Sequence, residues 1–426
     1  MSTPLYLLKT RRFAPLFGTQ FLGAFNDNLF KNTLAVLLTF QASEWTSLSS
    51  ALLAPLIGAI FILPFFLFSG IAGEIADIFD KARLARIVKV WEIFLMILAL
   101  IGFAMHSFVT LMIVIFGMGM HSTLFGPIKY SIIPQHMGEN ELVTANALVE
   151  SGTFAAILLG TILGGTLSAV ENGGIIAATA SIVIALIGYA FSRYIPAAPS
   201  SHTSTTTVSL NIFTQTSQAI RLSYRNKMVF LSILAISWFW LYGALLLSQF
   251  PAFVQSVLMG DEKTVTLLLS LFTLGIGAGS FLCERLSHHS LRISLVVIGA
   301  IGMGLSGIDF SLSAAHFTAS GTLYSNPQFF HILLDLTLIG IFGGLYSVPL
   351  YALMQSKSDV VSRSRIIAAN NILNALFMVS GAVATMLMLG KGFSISTIFL
   401  MIAIGTLMVA GVITVGLKKY SIRITE

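Results

Sequence analysis

FLGAFNDNLFKN, residues Phe21–Asn32, lies between a short basic leader and the apolar run TLAVLLTF. A membrane helix is expected there, yet the stretch holds three asparagines, an aspartate and a lysine. Gln20, Asp27 and Lys31 are seven and four residues apart, so they share one helical face, with the acid preceding the base in the favourable order. Asn28 and Asn32 widen that face by one stripe. A charged side chain at bilayer depth costs at least about 2.5–3.5 kcal/mol, so such a face is turned toward other helices or a cavity and not toward lipid. The stretch therefore reads as a cavity-lining helix of a multi-helix bundle.

The rest of the chain supplies that bundle. Its 426 residues are 56% hydrophobic and 9% charged, with a mean hydropathy of +0.90. Soluble domains are about a quarter charged, so a soluble fold is excluded. Runs of roughly 20 apolar residues suffice to cross a hydrocarbon core. Twelve can be drawn: 12–40, 48–71, 88–105, 109–132, 143–168, 174–194, 228–256, 264–283, 292–312, 329–354, 365–388 and 394–416. The fold expected is an all-α membrane protein of twelve transmembrane helices.

Basic residues are retained in short cytoplasmic loops. With the N-terminus cytoplasmic, nineteen of the 23 fall on the inner side, two (Lys263, Lys391) outside, and two (Lys31, Lys129) within spans. Both termini are then cytoplasmic, and the basic pI reflects topology. No basic patch with interleaved aromatics occurs on a soluble segment, so a nucleic-acid partner is not expected. The first span has no small-residue cleavage site after a short apolar core and reads as an uncleaved helix. The lone Cys283 allows no intramolecular disulfide.

The longest polar stretch follows span six. It divides the chain into residues 1–194, a cytoplasmic linker 195–227, and 228–426, six spans on each side. The start of the linker is Pro/Ser/Thr-rich, and Leu210–Leu222 has the pattern of a short amphipathic surface helix. Ala145-Asn146-Ala147-Leu148-Val149-Glu150 at the start of span five matches Ala369-Asn370-Asn371-Ile372-Leu373-Asn374 at the start of span eleven. Each follows a span that ends near a glutamine, Gln135 or Gln355, which points to duplicated halves.

Between spans two and three, GEIADIFDKAR (Gly73–Arg83) resembles the loop signature of the major facilitator superfamily: a glycine, an aspartate four residues later, then basic residues. The resemblance implies two pseudo-symmetric six-helix halves and a cytoplasmic gate built on Gly73, Asp77 and Arg83. Asp77 has a physical role available, facing the positive end of a neighbouring helix such as span eleven, which starts near Arg365. Span five carries Gly160, Gly164 and Gly165 for close helix contact. It lacks the proline typical of the superfamily's antiporter motif, which argues against an antiporter.

Seven charged residues in the spans are candidates to face a cavity or a partner: Asp27, Lys31, Glu92, Lys129, Glu150, Asp309 and Asp335. Asp27 and Lys129 lie at depths that let them approach each other. Lys31 is either a second site residue or the local counter-ion of Asp27. Glu92 and Glu150 lie near cytoplasmic ends, where capping or snorkelling competes with function. His331 and Asp335, four apart, form a proton relay or a surface hydrogen bond. There is no GxxxxGK[ST] loop, and no histidine is followed five residues later by aspartate, as glycerolipid acyltransferases require. The chain is therefore not expected to be an enzyme, and neither a cofactor nor a metal is expected.

FLGAFNDNLFKN, GPIKYSIIP (Gly126–Pro134), ANALVESGTFAAILLGTILGG (Ala145–Gly165) and SWFWLYGALLLSQFP (Ser237–Pro251) together resemble one branch of the superfamily. It is the bacterial lysophospholipid transporters, especially the transporter part of proteins fused to an acyltransferase. Stand-alone members carry an arginine in span seven, where this chain has Gly243, Leu245, Leu246 and Gln249. The resemblance implies movement of lysophosphatidylethanolamine and lysophosphatidylglycerol from the outer to the inner leaflet of the bacterial inner membrane, for reacylation. It places the family's intramembrane acid on Asp27 and its span-four lysine on Lys129. Asn26, Asp27, Asn28, Lys31, Lys129 and Glu150 are the expected binding or gating residues. The sequence ends at Glu426 without fused domains, so an acyltransferase partner is expected to be a separate protein. Two rivals stay open, a proton-coupled transporter of another amphiphile (a drug or siderophore) and a non-transporting membrane scaffold.

Overall fold

The computed structural model describes residues 4–40, 45–46, 50–200, 209–287, 290–318 and 323–425. The Pro/Ser/Thr-rich part of the expected linker, 201–208, lies outside the described residues. Thirteen α-helices appear among them: α1 (Ala14–Phe40), α2 (Ser50–Ile78), α3 (Lys81–Ala104), α4 (Phe108–His136), α5 (Leu142–Ser168), α6 (Gly173–Arg193), α7 (Ile212–Arg225), α8 (Lys227–Phe253), α9 (Glu262–Ser287), α10 (Ile293–Ala315), α11 (Pro327–Lys357), α12 (Arg363–Gly390) and α13 (Ile395–Thr425). Eleven of them are long and apolar enough to cross a bilayer. The twelfth long helix is α1, 27 residues whose apolar run is interrupted by the polar stripe. The exception in length is α7, whose 14 residues match the amphipathic pattern. It buries Gln215, Ala219 and Ser223 and leaves Phe213 exposed.

Local chemistry sets the helix starts. Asp80 caps α3, its carboxylate accepting from the Arg83 amide at 2.7 Å, and Asn226 caps α8 by accepting from the Met228 and Val229 amides. The cap at Asp80 corrects the sequence reading in one place. The third helix begins at Lys81, not at residue 88, because a capped basic turn extends the apolar segment backwards. Lys89, read from the sequence as cytoplasmic, thereby lies two turns inside α3 and is fully buried.

The chain forms two compact units. The first comprises Met1–Glu139, Ala155–Ser223 and Ser358–Ile372. Its apolar core is built from α1, α3, α4 and α6, with Phe30, Leu34, Leu95, Met96, Phe103, Val114, Met118 and Ala185 all buried. Phe103 meets Phe30 and Trp45 edge to face, each at 6.0 Å. Small residues bring α1 close to α5. Asn32 Nδ2 donates to the Thr161 carbonyl at 2.7 Å and Thr33 Oγ1 to that of Gly164 at 3.1 Å. A Cβ on Gly164 would lie 2.6 Å from the Leu29 carbonyl oxygen. Gly164→Val is therefore expected to lower stability by about 1–3 kcal/mol, read as a fall in the melting temperature of the detergent-purified protein; an unchanged melting point would refute the close approach.

The second unit comprises Asn140–Phe154, Tyr224–Lys357 and Leu373–Glu426. Its core includes Phe253, Phe310 and Phe399, with ring centroids 5.5–5.6 Å apart. Phe154 stacks on Trp240 at 5.9 Å and meets Phe239 and Phe272 edge to face.

Candidate functional site

The polar stripe of α1 leads into a buried charge cluster in the first unit. Asn26, fully buried, donates from Nδ2 to Glu92 Oε1 of α3 at 2.8 Å and to the Ser181 carbonyl of α6 at 3.2 Å. Glu92 is fully buried too; it forms an ion pair with Lys89 on its own helix, and its Oε2 lies 3.2 Å from His121 Nε2 of α4. Glu92 thus neither caps a helix nor snorkels to the surface. It is the centre that compensates a lysine with no access to water. Lys89 and Glu92 stand three residues apart, the spacing at which helical side chains meet.

Asp27 points to the adjacent position on α4, where the Ser122 hydroxyl donates to its Oδ2. It is 8% exposed. Lys31, one turn further along α1, is only partly buried. Its ammonium lies 4.0 Å from the centroid of the Phe61 ring of α2, a cation–π contact on an otherwise greasy surface. Asn28 returns its Nδ2 to the Ala24 carbonyl of its own helix at 2.7 Å. Lys129 is partly buried, its ammonium 4.5 Å from the Tyr130 ring. It stands seven residues, about 10 Å, along α4 from the serine that holds Asp27. Glu150 is fully buried and belongs to the second unit.

A second constellation in the first unit surrounds the start of α12. Asp77, 1% exposed at the end of α2, accepts from the Ser364 amide at 2.8 Å, and from the Arg365 amide and Nε at 3.3 and 3.1 Å. A carboxylate there satisfies otherwise orphaned amides and meets the positive end of the helix dipole. Gly73 permits the approach, since a Cβ on it would lie 2.7–2.9 Å from Ala368, Arg365 and Ser364. Ser131 of α4 adds a hydroxyl contact to Ser364 at 2.9 Å. Arg83 is exposed and its backbone amide serves the Asp80 cap; the basic partner of Asp77 is Arg365.

The second unit holds a related arrangement that the sequence reading missed. Glu284, near the end of α9, accepts from the Thr144 hydroxyl in the first turn of α5 at 3.2 Å. Asn146 and Gln355 exchange amide hydrogen bonds at 2.8 and 3.1 Å. The available signal was an acid just before basic residues at the end of the eighth span, the counterpart of Asp77. Lys89 and His121 were also missed: the first was counted as loop charge, and the second becomes informative only when α3 and α4 are placed side by side.

The comparisons with known proteins agree with this architecture. The family model of the Major Facilitator Superfamily matches residues 16–319, and the chain belongs to that superfamily. Within it, the chain is 30% identical over 360 residues to a lysophospholipid transporter, LplT, of Cronobacter sakazakii, covering 83% of this chain and 82% of that protein. It is 29% identical over 360 residues to the protein of the same name from an Enterobacter species, covering 83% of each. The crystal structure of a human organic anion transporter superposes with a TM-score of 0.72 at 12% identity, over 95% of this chain and 98% of that one, which shows the shared fold.

Proposed function

We propose that this multi-pass membrane protein carries lysophospholipids, including lysophosphatidylethanolamine and lysophosphatidylglycerol, from the outer to the inner leaflet of a bacterial inner membrane by alternating access. Both termini are cytoplasmic in this reading, as the distribution of basic residues indicates. The observation that carries it is the position of Lys31. A partly exposed cation sits one turn from Asp27 and directly over an aromatic ring. A lipid phosphate requires such a charge, and its acyl chain requires the apolar surface beside it, here Phe61 and Phe65. Asn28 and Lys129 extend the polar surface, while Asn26, Glu92, Lys89 and His121 hold α1 in place behind it. Asp77, set against the start of α12 with Gly73 beneath, acts as the cytoplasmic gate. The chain performs no catalysis in this reading, and a separate acyltransferase consumes the delivered lipid.

Uptake of labelled lysophosphatidylethanolamine by spheroplasts tests the proposal. Wild type is expected to exceed empty cells clearly, and Lys31→Ala to fall by about tenfold, equivalent to about 1.4 kcal/mol of lost interaction. Equal uptake by wild type and empty cells would refute it. The buried Lys89–Glu92–His121 cluster favours a second reading, proton-coupled transport of another amphiphile such as a drug or siderophore, because ionisable side chains gathered inside a membrane bundle mark proton pathways. That reading requires uptake to collapse with a protonophore.

A further inference from the structure

At the far end of α10 and α11 from the basic residues Arg292 and Lys357, three side chains converge outside the site described above. Asp309 of α10 and His331 and Asp335 of α11 bring one ligand atom each to within 4.8 Å of one another. His331 Nε2 lies 3.0 Å from Asp309 Oδ2 and 3.5 Å from Asp335 Oδ2. The His331 and Asp309 side chains are about half exposed, whereas Asp335 is 3% exposed and its Oδ2 has no hydrogen-bond partner.

A single imidazole N–H cannot serve both carboxylates. Pointed at Asp309, it leaves the buried Oδ2 of Asp335 without a hydrogen bond, an expensive arrangement. One dication between the three groups removes the conflict. Zinc binds histidine nitrogen at about 2.0–2.1 Å and carboxylate oxygen at about 2.0–2.2 Å, which sets tetrahedral ligand atoms roughly 3.3–3.4 Å apart. The two measured separations bracket that value. One imidazole nitrogen with two carboxylates suits zinc and its transition-metal neighbours over magnesium or calcium, which take all-oxygen sets. His331 also lines a surface pocket together with Leu312, Ser313, His316 and Gln328, so the site is reachable from outside.

The geometry points to a divalent transition-metal site formed by Asp309, His331 and Asp335, which ties the end of α10 to the start of α11. The test uses full-length protein in detergent, free of any affinity tag, stripped with a chelator and then equilibrated with zinc chloride. Wild type is expected to retain about one zinc per chain, undisplaced by excess magnesium, and His331→Ala and Asp309→Asn to bind at least about tenfold more weakly. Both variants alter half-exposed side chains, so their loss of zinc reads the site and not the fold. No zinc retained by wild type, or equal retention by wild type and His331→Ala, would overturn the proposal.

Discussion

Glu92→Ala is expected to destabilise the protein by about 3–5 kcal/mol, the usual cost of removing one member of a buried ion pair. Glu92 is the acceptor for Asn26 and the counter-charge of Lys89, and its Oε2 lies 3.2 Å from His121 Nε2, all three neighbours at most 2% exposed. With the carboxylate gone, Lys89 stays buried two turns inside α3 with its charge uncompensated, and Asn26 keeps only the Ser181 carbonyl. The compensated variant Lys89→Met/Glu92→Leu removes both charges together. It is expected to recover most of the loss, since apolar replacement of a whole buried pair is often neutral or better. Thermal melting of wild type, single and double variants in one detergent reads the difference. A Glu92→Ala protein as stable as wild type would show that the cluster does not hold the first unit together.

Asp77→Ala is expected to open the contact between α2 and the start of α12. The substitution strips the carboxylate from the Ser364 and Arg365 amides and from the Arg365 guanidinium. Hydrogen bonds to a charged group contribute about 1.5–3 kcal/mol each, and leaving buried donors unmet adds to the loss. Ser131, 1% exposed and in contact with Ser364, reports on this. With the buried Cys283 replaced by serine, a Ser131→Cys protein should react with a maleimide at least about tenfold faster when Asp77→Ala is added, each tenfold step corresponding to about 1.4 kcal/mol. Asp77→Asn keeps one acceptor oxygen and should fall between. Equal labelling rates with and without Asp77 would refute the gating role proposed for it.

The helices were legible from apolar runs alone, because a bilayer imposes both length and composition on whatever crosses it. Even α1 could be drawn, since Gln20, Asp27 and Lys31 fall on one face and the apolar run TLAVLLTF follows. The start of α3 was misjudged through the basic residues at Lys81, Arg83, Arg86 and Lys89: charge density there reads as a loop until Asp80 is recognised as a cap. That single shift concealed the buried cluster, for a lysine counted in the cytoplasm is not sought as the partner of Glu92. His121 and Ser122 stayed silent for another reason. They acquire meaning only beside Glu92 and Asp27, and the pairing of α4 with α1 and α3 is tertiary, with no periodicity to announce it. Asp309 was visible as an intramembrane charge, but its meeting with His331 spans 22 residues and two helices.

Reconstitution shows whether the polar face of α1 serves lipid movement. Purified protein is placed in liposomes with a fluorescent lysophosphatidylethanolamine, and the fraction protected from an external quencher is followed with time. Wild type should transfer the lipid well above protein-free liposomes, and Asp27→Asn should reduce the rate by about tenfold or more, equivalent to about 1.4 kcal/mol or more. Transfer by wild type no faster than in protein-free liposomes would contradict the account.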